Sequence, residues 1–400
     1  MKRIRDIIFA ACFCLCLLCA AFLTLRGGAD PFLFYENRMR AEAPALTRTS
    51  LLDGSWFDGL ETYLTDHAPL RTTLLTGQTW AELRLLRTPV ISEVVITDNL
   101  LLSYKDYEVW ELDYIEWLGD WVTNETRTLA DVTEAYGGHY LYLGLPEMFS
   151  YFGDEYPAYM NNRQWYLGPT VAQFKADMAE RNLRFVDAQA AFEAAGRPAD
   201  YYYKTDHHFT FTGALAAYHA LMDAIREETG FDHLPQLTEG LNLELVTLES
   251  PFLGSYGRKL YGLLDYGDRL VIGQPTEPVP FTREDDGAAS EPFINRLPLP
   301  ADYASYLVYM GGDQAETVIR TTRPELPSLL IYGDSYTNAL ETLLYWSFDE
   351  TRSIDLRYYD KMSLAAYIEL YQPDIVVCVR DDTSYLETSG NGNPLGLVRE

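Results

Sequence analysis

Residues 7–25 form an apolar run, interrupted by Thr24 alone, behind the polar start Met1-Lys2-Arg3-Ile4-Arg5-Asp6. Nineteen residues of helix rise roughly 28 Å, about one hydrocarbon core, so the pattern predicts a membrane-spanning helix. Arg26-Gly27-Gly28 then breaks the run. Residues 56–64 and 70–86 carry apolar positions at helical spacing, and Pro44 and residues 50–56 mark turns and helix starts. Farther on, short β-branched or aliphatic runs at 90–96, 139–143, 183–186, 329–332 and 375–379 alternate with helical patterns at 114–136, 171–181 and 213–229. Continuous apolar strands alternating with helices predict an α/β fold: a parallel sheet with helices on both faces. Residues 237 to 324 are richer in Pro, Gly and acidic side chains and read as an insertion or a smaller β-rich lobe. The expected organisation is an anchor at 1–28, a helical approach region at 29–88 and an α/β domain at 89–400 that carries the insertion.

Composition narrows the classes. The chain is 48% apolar, hence globular, and 31 Lys and Arg against 59 Asp and Glu leave a net charge of −28. Such a field repels nucleic acid, and no basic stripe interrupts it. Basic residues before the apolar run put everything after it outside the cytoplasm. An uncleaved anchor is favoured by the length of the run; a cleaved signal peptide, with Ala20 and Ala21 near the cut, is the alternative and gives a secreted protein. Cys12, Cys14, Cys16 and Cys19 lie inside the run, and Cys378 lies in an apolar strand. The outer domain can therefore form no internal disulfide, and the cysteines supply no catalysis.

Chemistry concentrates at Tyr203-Lys204-Thr205-Asp206-His207-His208-Phe209-Thr210. If this segment is extended, Asp206 and His208 share a face and His207 points away. Asp206 can then orient the His208 imidazole as a base. A nucleophile follows 127 residues after His208, in Gly333-Asp334-Ser335-Tyr336. The pattern there reads strand, tight turn, helix, which exposes Ser335 at the C-terminal end of a strand, although a serine at that place also serves as a helix cap. Histidines that point apart argue against a metal site, and no cofactor is expected. His207 is read as a structural hydrogen-bonder, and the Tyr201-Tyr202-Tyr203 run, Tyr203 included, as a cleft lining. Arg357 is a candidate substrate contact, with an ion pair as the alternative.

Gly333-Asp334-Ser335-Tyr336 resembles the nucleophile block of SGNH (GDSL-like) esterases and acyltransferases. Thr205-Asp206-His207-His208-Phe209-Thr210, with Gly213-Ala214, resembles the signature of bacterial DHHW proteins, which are similar to the SGNH-like proteins of alginate and exopolysaccharide O-acetylation. Glu36-Asn37-Arg38, residues 64–71 and residues 355–358 look like pieces of the same pattern. In that group Asp and His precede Ser, as they do here, and Phe209 stands in place of the signature tryptophan. The resemblance implies an SGNH-like (flavodoxin-like) fold, with Ser335 as nucleophile, His208 as base and Asp206 as orienter. Backbone N–H groups at Ser335 and Tyr336 would hold the oxyanion. It implies transfer or removal of acetyl groups on a cell-surface or secreted polysaccharide, with a membrane-bound O-acyltransferase as partner. A non-catalytic glycan-binding or scaffold component of a modification complex is the alternative.

Overall fold

The structure, a computed structural model, describes residues 2–25, 30–104, 109–160, 164–298 and 303–396. The Arg26-Gly27-Gly28 break lies outside the described residues. Helix α1 (Lys2–Leu25) leaves Ile7, Phe9, Phe13 and Leu17 exposed. From Arg3 to Thr24 it is long and apolar enough to cross a membrane.

The chain divides into two compact units, residues 1–94 with 257–264 and residues 95–256 with 265–400. In the first, helices Ser55–Asp66 and Arg71–Ala81 follow α1. Asp66 is buried and accepts from both terminal nitrogens of Arg38, at 2.7 Å each. Hydrogen bonding to Arg38 outweighs burial and holds the Asp66 carboxyl down at about 2. Arg38 and Arg71 also pair with Glu36. The charged residues of 36–38 and 64–71 thus tie this unit together.

The second unit is built on an eight-stranded sheet. In chain order its strands are β1 (His139–Leu145), β2 (Arg184–Asp187), β3 (Thr282–Asp285), β4 (Ala288–Ser290), β5 (Glu316–Arg320), β6 (Leu329–Tyr332), β7 (Glu350–Ile354) and β8 (Ile375–Asp381). Their spatial order is β4-β3-β5-β7-β6-β8-β1-β2. The five strands from β7 to β2 are parallel. β5, β3 and β4 add antiparallel pairs at one edge. The insertion therefore supplies three strands to the main sheet, while its Leu243–Thr247 and Val271–Pro275 pair separately.

Strands β6 and β8 are buried along their whole length, as runs covered on both faces must be. Leu330, Tyr332, Val376, Cys378, Tyr140 and Tyr142 share one core with Ile115, Leu118 and Leu129 of helix α2 (Leu112–Glu134) and Phe174 of α3 (Gln164–Glu180). Helix α4 (Phe211–Thr229) packs on α5 (Tyr336–Leu344). Burial pushes the Cys378 thiol up to about 12, so it stays protonated and inert at neutral pH. The strand expected over 90–96 is instead two short strands, Val90–Ile91 and Val94–Ile96, separated by Ser92 and Glu93 at φ 50° and 63°. Two consecutive left-handed residues make a tight turn that a single strand cannot contain.

Candidate active site

The Asp206 loop is closed at its base by a bridge between Tyr202 and Phe209. Thr210 caps α4 by accepting from the Gly213 N–H. Between these points the chain bends and is not extended. The cause is Asp206 itself: its Oδ1 accepts from the backbone N–H of His208 at 3.1 Å, which turns the chain within two residues. The turn keeps Asp206 facing His208, and Nδ1 of His208 donates to Oδ1 at 2.5 Å. It also overturns the expectation that the histidines point apart, because their ring centroids lie 3.7 Å from each other.

Two later segments hold the loop. Asp268 accepts from the backbone N–H groups of Lys204 and Thr205 and from the Thr205 hydroxyl. The Ser255 N–H donates to Asp206 Oδ2 at 2.6 Å, and the Ser255 hydroxyl meets His207 Nδ1 at 2.8 Å. Gly254 makes that approach possible, since a Cβ there would stand 2.3 Å from the Thr205 carbonyl oxygen. Ser255 and Asp268 escaped the sequence reading because they act across 49 and 63 residues. Their own neighbourhoods carry no motif.

Ser335 sits between β6 and α5, half-buried, with φ −57°. Its hydroxyl makes no cap hydrogen bond to the helix; it lies 2.7 Å from His208 Nε2. Asp206, His208 and Ser335 are hydrogen-bonded in series at the C-terminal end of a parallel strand. Gly333 has an ordinary negative φ, so the turn does not need its left-handed freedom. It needs the absence of a side chain, because a Cβ would lie 2.6 Å from the Val379 carbonyl oxygen.

Burial by itself would raise the Asp206 carboxyl. The facing charge and hydrogen bond of His208, the charge of His207 and the Ser255 N–H outweigh it and hold Asp206 well below the usual carboxylate range. An ionised Asp206 fixes the proton on Nδ1 and leaves Nε2 to accept from Ser335.

The remaining expected site residues divide. Tyr336 is buried: its hydroxyl donates to the His207 carbonyl and its N–H to Asp334 Oδ1. Its backbone is therefore not open to an oxyanion as expected, whereas the Ser335 N–H has no acceptor among the described residues. Tyr202 and Tyr203 are 2% exposed, with hydroxyls meeting the Pro146 carbonyl and the Tyr309 hydroxyl, so neither lines a cleft. Arg357 is committed to Asp355 and Asp313, which is the ion-pair alternative. Phe209 is fully buried and meets the Tyr336 ring edge-on at 5.2 Å. Asp206, His207 and His208 offer atoms within 4.8 Å of one another, the spacing of a metal site. Both Asp206 oxygens already accept hydrogen bonds, and His208 Nε2 faces Ser335.

Residues 122–245 match the family model ALGX, the SGNH hydrolase-like domain of the acetyltransferase AlgX. The matched span contains Asp206 and His208 and ends before Ser335. The fold is SGNH hydrolase-like. Bacillus cereus PatB1 is similar at 20% identity over 73% of this chain and 96% of its own, with a TM-score of 0.60. A second structure of that protein, with a sulfonyl adduct, is similar at 18% identity, 73% and 94% coverage and TM-score 0.59. A DHHW family protein from Eubacterium siraeum is similar at 22% identity over 77% of this chain and 98% of its own, with a TM-score of 0.53. No curated protein matches the sequence.

A buried acid sits where β1 and β8 end in this SGNH-like sheet. Asp382 accepts from the Glu147 N–H at 2.9 Å and from the Ser150 hydroxyl at 2.5 Å. Burial first, then Asp381 and Glu147, push its carboxyl up to about 7. The folded value lies above that of an unfolded chain, so the folded state binds the extra proton between about pH 4 and 7. Asp382's share of stability is complete below that window and is lost as pH rises through it. Asp382→Asn is expected to raise the melting temperature by roughly 2–4 °C at pH 8 and to give no gain at pH 5. Equal shifts at both values would place that proton elsewhere.

Proposed function

We propose that the chain is an extracytoplasmic, serine-dependent O-acyltransferase or esterase that transfers or removes acetyl groups on a cell-surface or secreted polysaccharide. One observation carries the reading: the hydrogen-bonded series from Asp206 through His208 to Ser335. His208 Nε2 takes the hydroxyl proton as Ser335 Oγ attacks the ester carbonyl, and Asp206 steadies the imidazolium that forms. The Ser335 N–H, at the N-terminal end of α5, faces the developing oxyanion. Collapse expels the alcohol, which takes the proton back from His208. A sugar hydroxyl or water then attacks the acyl-serine with His208 again as base, and Ser335 Oγ is expelled, taking that proton back from His208.

The acetyl group is in keeping with the acetyltransferase family whose model matches 122–245, and the polysaccharide rests on the resemblance carried by residues 205–210 and 333–336. The address outside the cytoplasm rests on α1 and the basic residues before it, with the anchor retained and a membrane-bound O-acyltransferase as donor partner.

Turnover of p-nitrophenyl acetate, with and without an added glycan acceptor, tests the reading. Wild type is expected to turn over, and Asp206→Asn to lose about 10⁴-fold in kcat because the imidazole tautomer is no longer fixed. Wild-type turnover that a chelator abolishes, or an Asp206→Asn protein as active as wild type, would contradict it.

A further inference from the structure

The His208 ring has a neighbour that the hydrogen-bonded series does not use. Tyr306, in the short turn Tyr306–Val308 of the insertion, lies parallel to it, with centroids 3.7 Å apart and planes 6° apart. The His207 ring also stands 3.7 Å from His208, tilted by 37°. Two rings that close to one imidazole occupy opposite faces, since on a single face they would overlap. His208 is therefore sandwiched. It can rock in its own plane, between Ser335 Oγ and an attacking or leaving oxygen, but cannot tilt out of it.

Tyr306 is itself fixed, edge-on to Tyr309 at 4.9 Å and 73°. The Tyr309 hydroxyl in turn donates to the Val271 carbonyl. Two properties of Tyr306 go beyond packing. Its π face lies against the ring that becomes cationic in the reaction, where an aromatic face stabilises charge. Its hydroxyl is buried and has no hydrogen-bond partner among the described residues, although the residue is only 7% exposed. A buried tyrosine hydroxyl without a partner is costly and uncommon, and a bound molecule is the economical way to satisfy it.

We propose that Tyr306 positions His208 through its ring and offers its hydroxyl to the acyl substrate bound at Ser335. The inference rests on Ser335 and His208 being the reacting pair. Groups facing the His208 ring are Asp206 and His207 from its own loop, Tyr306 from the insertion and Tyr336 from α5. Of these, the Tyr306 ring is the one that can be removed without touching the loop or the nucleophile helix.

The test uses full-length Tyr306→Phe, Tyr306→Leu and Tyr306→Met, each checked for folding by its melting curve, with kcat, KM and the pH profile of kcat/KM for p-nitrophenyl acetate. Phe keeps the ring: kcat and the acidic limb should stay as in wild type, while KM rises roughly fivefold. Leu and Met lose the ring: kcat should fall roughly tenfold, and the acidic limb should move to lower pH by about half a unit or more, because the imidazolium loses support. Folded ringless variants with unchanged kcat and limb would overturn the clamp, as would a Phe variant whose limb moves. An unchanged KM in Tyr306→Phe would overturn the hydroxyl contact. Absence of wild-type turnover would instead strike the reading of Ser335 and His208, a separate outcome.

Discussion

Ser335→Ala is expected to cut acetyl-ester turnover by about 10⁶-fold while leaving the fold intact. The hydroxyl is half-buried and its one hydrogen bond goes to His208, so its loss removes no helix cap and opens no apolar cavity. The backbone at 335 is right-handed, which alanine adopts without strain. Stability should move by about 1 kcal/mol or less, the net worth of one such hydrogen bond. Activity should collapse because no other oxygen stands within reach of Nε2 among the described residues. The comparison is of kcat between wild type and variant, with melting temperature as the control. Turnover within tenfold of wild type would remove Ser335 from the reaction.

His208→Ala should cost about as much in kcat, because a serine without its base is as inert as an absent serine. Here the fold pays as well. His208 is 5% exposed and lies between His207 and Tyr306, with Tyr336 edge-on at 5.4 Å, so truncation leaves a cavity in an aromatic cluster. It also strands Asp206, a buried carboxylate that loses its facing charge and one of its hydrogen bonds. A loss of about 2–4 kcal/mol is expected, visible as a lower urea midpoint with little change in slope. A variant that keeps turnover would mean that another group is the base.

The parts of this architecture that were legible in the sequence are those where neighbours along the chain decide the outcome. Runs 329–332 and 375–379 had to be strands buried on both faces, and the turn at 333–335 had to follow the first of them. Strand β7 was missed because Glu350-Thr351-Arg352-Ser353-Ile354 carries no apolar run. Its buried Arg352 is made tolerable by Glu350 two residues earlier in the same strand and, from outside the strand, by the Tyr367 hydroxyl and the Tyr371 ring 3.7 Å from the guanidinium. The 204–208 loop misled for a related reason. Aromatic-rich sequence favours extension, but the Asp206 carboxylate forms a local turn that Asp268 and Ser255 then lock from far along the chain. Tyr306 had no local signal at all; only the folded insertion brings it onto His208.

The central claim is that Ser335 is a nucleophile activated by His208. Its most direct test is intact-mass analysis, followed by peptide mapping, after treatment with a fluorophosphonate or a sulfonyl fluoride. The account predicts one adduct per chain, located on Ser335, absent from Ser335→Ala and formed far more slowly in His208→Ala. An unmodified wild-type protein, or an adduct on another residue such as Ser255 with Ser335 untouched, would contradict it.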